Sequence, residues 1–305
     1  MLGIGGGGDV VGALAVGRHC ESLGTGFVLG GVAWERWAVD PYPGPRSVAQ
    51  IAGGRPLGKA AVLAGAETAT PDGVPFCEAR MAGFLGEPTV LVDVTGGPGA
   101  AADGIAAATG ELGCDLAILV DVGGDAIAEG SEPGLASPLC DAVMLAAAAR
   151  LGGLPVLGAV VGAGCDAELT PEEVLDRIAV LGRAGAWLGT WGMTPAIADE
   201  LLAATEAVPT EASLQAALCA KGETGPAPIR GGRRTVHRGP TGALSFFFDP
   251  LAGPDCLPLV HAVAGAPDLE AARTVLETRG IRTELDYERD RTGAAPPEVW
   301  QTRAP

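Results

Sequence analysis

The sequence predicts an α/β fold: a doubly wound, Rossmann-like, mainly parallel sheet with an additional β-hairpin. Three observations carry that expectation. Strand-like apolar runs alternate with helical stretches three times in the middle of the chain, at Thr89–Val94, Leu116–Val120 and Val156–Val161. The 305 residues are 48% hydrophobic but only 4% aromatic, so Ala, Val, Leu and Ile must fill the core, a mixture that suits strands buried on both faces. Glycine next to acid recurs where those strands end. The 48 Gly and 24 Pro stop just short of the level at which disorder becomes the first expectation.

In chain order, Leu2–Ile4 reads as a stub of strand, Gly5–Gly8 as a loop and Asp9 to about Leu23 as a helix, with Val10, Ala13, Leu14 and Gly17 at helical spacing. The chain starts inside its first strand, which suggests a true start upstream of Met1. A second strand covers 26–32. Residues 60–66 and 74–76 read as a hairpin across Pro71-Asp72-Gly73, with a short helix at 77–85. The first central strand leads to a helix at 100–112. The next leads to a helix opened by Ser137-Pro138, and the third to one opened by Thr170-Pro171-Glu172-Glu173. Helices at 194–205 and 210–220 follow, then a hairpin insertion at about 233–248, a helix at 267–279 and a last strand at 281–286. The expected organisation is one α/β domain over 1–287 and a loose tail over 288–305.

Charge narrows the partners. Twenty Lys and Arg stand against 37 Asp and Glu, a net charge of -17, which disfavours nucleic acid and anionic membrane surfaces. No apolar run is long enough to span a bilayer. Seven Cys without a C-x-x-C pair predict reduced thiols and a cytoplasmic location. Small-residue helices at 100–112 and 140–151 suit packing on the sheet or on a second copy, so a homo-oligomer is open.

Ligands in an open parallel sheet bind beyond the carboxyl ends of the strands. Four such ends carry chemistry. Gly3-Ile-Gly5-Gly6-Gly7-Gly8 satisfies G-x-G-x-x-G, with Glu35 as the acid near the second strand's end. The same glycines also fit a tight turn with Asp9 as a plain cap, and Asp9 would repel a phosphate there. Asp93 leads into Thr95-Gly96-Gly97. Asp121 and Asp125 flank Gly123 and Gly124, close enough to share one cation. Asp166 and Glu168 end the fourth. Carboxylates without soft ligands suit Mg²⁺; helix caps and Asx turns are the plainer reading. Glu132 and Asp141 are further acids. Arg36 and Arg46 lie in an aromatic loop, and Arg233, Arg234 and His237 in a basic island that starts at Arg230, suited either to an anion or to guarding a hairpin edge. No G-x-S-x-G elbow or Walker A sequence occurs.

The runs Gly5-Gly-Gly-Gly-Asp-Val-Val11, Trp34-Glu-Arg36 to Pro43-Gly-Pro-Arg46, Asp121-Val-Gly-Gly-Asp125 and Glu132-Pro-Gly134 together resemble a prokaryotic family catalogued only as a domain of unknown function. The resemblance covers most of the chain and implies a single α/β unit, with no activity or catalytic residue to carry over.

The residues therefore lead to an expected transferase or hydrolase acting at a phosphoryl or glycosyl centre of a nucleotide- or sugar-phosphate-like small molecule. Asp9, Asp121, Asp125 and Asp166 would act as bases or hold Mg²⁺. The glycine loops, Glu35, Glu132, His237 and the arginines would bind the ligand. An NAD(P)-dependent oxidoreductase using the first loop, and a non-catalytic nucleotide sensor, are the alternatives.

Overall fold

The computed structural model describes residues 1–292. Five strands form the parallel centre of its main sheet: β1 (Leu2–Gly3), β2 (Gly30–Val32), β5 (Thr89–Val92), β6 (Ala117–Val122) and β7 (Val156–Val161). Antiparallel strands extend it at both sides, β3 (Arg55–Leu57) and β4 (Ala61–Ala64) at one, β8 (Trp187–Gly192) and β11 (Leu244–Phe248) at the other. The strand order is β3-β4-β5-β2-β1-β6-β7-β11-β8. The chain winds outward from β1 through β2 to β5, then returns to place β6 on the other side of β1. That reversal, between β1 and β6, is the topological switch point at which doubly wound sheets bind ligands.

Helices cover both faces. α1 (Asp9–Ser22), α2 (Cys77–Leu85), α6 (Pro195–Ala207) and α7 (Glu211–Ala220) pack Val10, Leu14, Met81, Leu201 and Ala217 on Ile118, Val120, Val161 and Phe247. α3 (Gly97–Leu112), α4 (Pro138–Ala147), α5 (Pro171–Arg183), α8 (Pro258–Val263) and α9 (Leu269–Thr278) pack Ile105, Val143, Ile178, Val260 and Leu276 on Leu119, Val160, Phe246 and Phe248. Consecutive strand residues thus feed opposite cores, as the strand period of two requires. No helix among the described residues is long and apolar enough to cross a membrane.

The local signal holds for the helix opened by Thr170, whereas Ser137 sits at the cap position of α4 without a cap hydrogen bond from its side chain. Thr170 accepts from Glu173 N–H and Glu173 reaches back, a capping box with Pro171 in the first turn. Four expectations are corrected. The hairpin is not 233–248: β10 (Arg234–Arg238) pairs with β9 (Gly225–Ile229), while β11 enters the main sheet between β7 and β8. The reason is patterning, since β10 buries only Val236 and suits a two-stranded ribbon, whereas Phe246-Phe247-Phe248 needs a core on each side. Within 60–66, β4 (Ala61–Ala64) pairs with β3 and β5 rather than with 74–76, because Ala61, Val62 and Ala64 are buried and extend the sheet. The last strand at 281–286 is a helix, α10 (Glu284–Asp290), opened by a Thr283–Asp286 capping box. The tail from 288 is anchored at its start, where Glu288 is buried; its residues 293–305 lie outside the described residues.

Phe248 is fully buried against Gly158 of β7. Phe248→Ala is expected to lower unfolding free energy by about 3–5 kcal/mol in urea titration, the range for emptying a buried aromatic site. A loss below about 1 kcal/mol would show that β11 is not an integral strand.

Candidate functional site

At the switch point the glycine loop after β1, the end of β6, the turn after β7 and the start of α4 converge on a crevice of about 390 Å³. Asp9 opens α1, Asp121 lies on β6, Asp125 follows it, Asp141 lies in the first turn of α4, and Asp166 and Glu168 follow β7. One carboxylate oxygen each from Asp9, Asp121 and Asp141 lies within 4.8 Å of the others, and the same holds for Asp125, Asp166 and Glu168. Asp121, Asp125, Asp141, Asp166 and Glu168 are all at most 5% exposed.

Glycines permit this crowding. Gly123 has φ 134°, and a Cβ there would fall 2.2 Å from the carboxyl carbon of Asp166. A Cβ on Gly5 would lie 2.5 Å from Asp9 Oδ2 and 3.4 Å from Asp141 Oδ1, filling the space between two acids. The loop itself is closed on its own neighbours. Gly5 N–H donates to Asp9 Oδ2 (2.9 Å) and Gly7 N–H to the Trp34 carbonyl (2.9 Å).

The two acid groups differ in how they are satisfied. Glu168 accepts from Ala136 N–H, Ser137 N–H and the Ser137 hydroxyl at 2.6–2.8 Å, and Asp166 Oδ1 accepts from Glu168 N–H. Ser137 occupies the cap position of α4, but the glutamates do the capping. Glu168 takes the amides before the helix and Glu284 of α10 takes Leu139 and Cys140 N–H, so the helix's positive end faces acid. In the other group, Asp121 Oδ2 and Asp141 Oδ1 are buried without any partner among the described residues.

Positive charge comes from two directions. Arg36 donates to the Gly5 carbonyl, lies over the Trp34 ring (5.0 Å), and stands 3.9 Å from Glu284 and Glu288. Glu288 in turn accepts from Trp34 Nε1 and Gly44 N–H, so α10 is tied to the crevice wall. On the opposite rim, Arg230, Arg233 and Arg234 line the mouth. Arg230 is held at φ 54°, an unfavourable conformation for a non-glycine residue. Its N–H donates to Glu211, while Arg234 donates to the Ala167 carbonyl beside Asp166.

Electrostatics follow from the crowding. Two carboxylates about 5 Å apart repel by roughly 3 kcal/mol at an effective dielectric constant of 20, so full ionisation would consume much of a domain's stability of about 5–15 kcal/mol. Burial raises Asp9 from 3.8 to about 7 against the Gly5 N–H and Arg36. Burial and the neighbouring Glu168 raise Asp166 to about 8. Burial and neighbouring acids push Asp121, Asp125 and Asp141 well above the usual carboxylate range. Burial raises Glu284 to about 7, opposed by Arg36.

Several sequence candidates stand elsewhere. Arg46 is buried in an ion pair with Asp40 (2.6 Å). Thr95, Gly96 and Gly97 form the turn after β5, where Asp93 takes Thr95 N–H and hydroxyl, and Gly97 packs on Asp268. Glu132 caps Glu129 and Gly130 N–H, and His237 is exposed on β10. None of these positions lines the crevice. Gly6, Gly7, Gly8, Glu35 and Arg233 do line it, although Glu35 binds Cys77 N–H and thiol. Gly124 (φ 123°) packs on Val174 behind it. Asp141 and Arg230, marked only weakly in the sequence, and Glu284 and Glu288, not marked there at all, also line the site.

The raised acids retain protons in the folded state that the unfolded chain has released, so stability is greatest at low pH within this window and falls as pH rises through about 7 and 8. Between about pH 5 and pH 9 the cation-free protein's Tm is expected to fall, less steeply for Asp166→Asn. A flat or rising Tm in differential scanning calorimetry would contradict this.

No curated protein and no solved structure matches the chain. The family model described as "Protein of unknown function (DUF1152)" matches residues 1–292, and the chain belongs to that family.

Proposed function

We propose that this protein is an enzyme that transfers or hydrolyses at a phosphoryl or glycosyl centre of an anionic nucleotide- or sugar-phosphate-like small molecule. The observation that supports it most is the meeting, at the switch point, of six acids from α1, β6 and the turn after it, α4 and the turn after β7, in a crevice also lined by arginines. The unpartnered oxygens of Asp121 and Asp141 fit a hard divalent cation. Such a cation, when bound, would supply Lewis-acid stabilisation of charge developing on the substrate oxygens.

The chain's own groups complete the chemistry. Asp166 keeps one carboxylate oxygen free of the contact with Glu168 N–H, and its raised affinity for protons suits removing one from water or an acceptor hydroxyl and returning it to a leaving group. Glu168, fixed by three donors, positions the turn that carries Asp166. Arg230, Arg233 and Arg234 would bind and orient the anion, with guanidinium forks matched to phosphate oxygens.

The engaged amides of Gly5 and Gly7, the Asp9 carboxylate beside them and the Glu35–Cys77 contact all disfavour a dinucleotide pyrophosphate on the first loop, and so an NAD(P) oxidoreductase. Screening nucleotides and sugar phosphates with Mg²⁺ or Mn²⁺ is expected to reveal cation-dependent phosphate release or glycosidic cleavage. Asp166→Asn is expected to lower kcat by about 10²–10⁴-fold. Nucleotide binding without turnover would instead make the protein a sensor, and oxidation of NAD(P)H would restore the oxidoreductase.

A further inference from the structure

Four side-chain atoms lining the crevice have no partner among the described residues: the acceptors Asp121 Oδ2 and Asp141 Oδ1 and the donors Arg36 Nη1 and Trp37 Nε1. Buried polar atoms without partners carry a desolvation cost, and their concentration at one place points to groups that complete them. The two acceptors belong to the triad Asp9–Asp121–Asp141, supplied by α1, β6 and α4. The missing side chain of Gly5 keeps the space between Asp9 and Asp141 open. The second triad differs, since Ala136, Ser137 and the Glu168 amide already satisfy much of it. Arg36 is held by Gly5, Trp34, Glu284 and Glu288, yet its Nη1 reaches no acceptor among the described residues, the Glu288 oxygen being 3.9 Å away.

We infer that Asp9, Asp121 and Asp141 form the seat of one hard divalent cation, and that Arg36 donates to a phosphate-type oxyanion that also ligates this cation. The inference rests on the enzyme reading above and deepens it: it fixes which acids hold the cation, and makes the substrate group nearest to it an oxyanion. Mg²⁺ and Mn²⁺ suit three carboxylate oxygens, with remaining positions left to water and the oxyanion.

Mn²⁺ binding to the full chain, followed by electron paramagnetic resonance and calorimetry, tests the seat. One ion per chain is expected. Asp141→Asn and Gly5→Ala should each weaken it by about 10–100-fold or more, on the scale of disturbing a metal shell, while Asp125→Asn should stay within about threefold. Gly5→Ala removes no carboxylate and crowds the space between Asp9 and Asp141, its Cβ lying 2.5 Å from Asp9 Oδ2, so the test stands even where Asp141→Asn misfolds. Inorganic phosphate should tighten Mn²⁺ binding, and Arg36→Lys should remove that gain while retaining the ion. Loss of Mn²⁺ in Asp125→Asn with Asp141→Asn and Gly5→Ala spared, or no stoichiometric ion at all, overturns the seat. Phosphate that leaves Mn²⁺ affinity unchanged overturns the oxyanion contact. Cation-dependent turnover that persists in Asp141→Asn and is lost in Asp125→Asn would preserve the enzyme reading while refuting this seat.

Discussion

Six acidic side chains at the mouth of one mainly parallel sheet repel one another, and the arrangement around them is organised by that repulsion. Three responses are visible. The start of α4 turns its amides toward Glu168 and Glu284, using the helix's fixed partial charge against the acids. Arg36 is clamped between Glu284, Glu288 and the Trp34 ring, and touches the glycine loop. The remaining charge is relieved by retained protons, which burial favours at Asp9 and Asp166. A site at which protons stand in for missing positive charge can exchange them for a cation, which connects electrostatic strain with the proposed chemistry.

The topology explains why these residues meet. Asp9 follows β1 and Asp121 ends β6, and those two strands are neighbours only because the winding reverses between them. β7 lies beside β6 and brings Asp166 and Glu168 to the same rim. α10 closes the assembly from far along the chain, contributing Glu284 and Glu288.

Much of this was legible in the sequence. Strand–helix alternation from Thr89 onward predicts the parallel centre, and the rule that ligands sit beyond strand ends selects Asp9, Asp121, Asp125 and Asp166. The glycines were legible as special but not in their role: Gly5 leaves room between acids, and the loop's amides at Gly5 and Gly7 are already engaged. Thr95-Gly96-Gly97 carries the same local signal as the site loops, yet its Asp93 caps its own turn. Local spacing cannot separate these cases, because whether a strand end faces the switch point depends on sheet order. Glu284 was invisible for a related reason. Its partners lie 144 and 145 residues away, and the capping box of α10 looks like that of any surface helix.

The most direct test of the central claim is anomalous diffraction from a crystal soaked in Mn²⁺ and inorganic phosphate near pH 8. The account predicts a single anomalous peak bounded by Asp9, Asp121 and Asp141, with phosphate density between it and Arg36. A peak among Asp125, Asp166 and Glu168 instead, or none anywhere in the crevice, would contradict it.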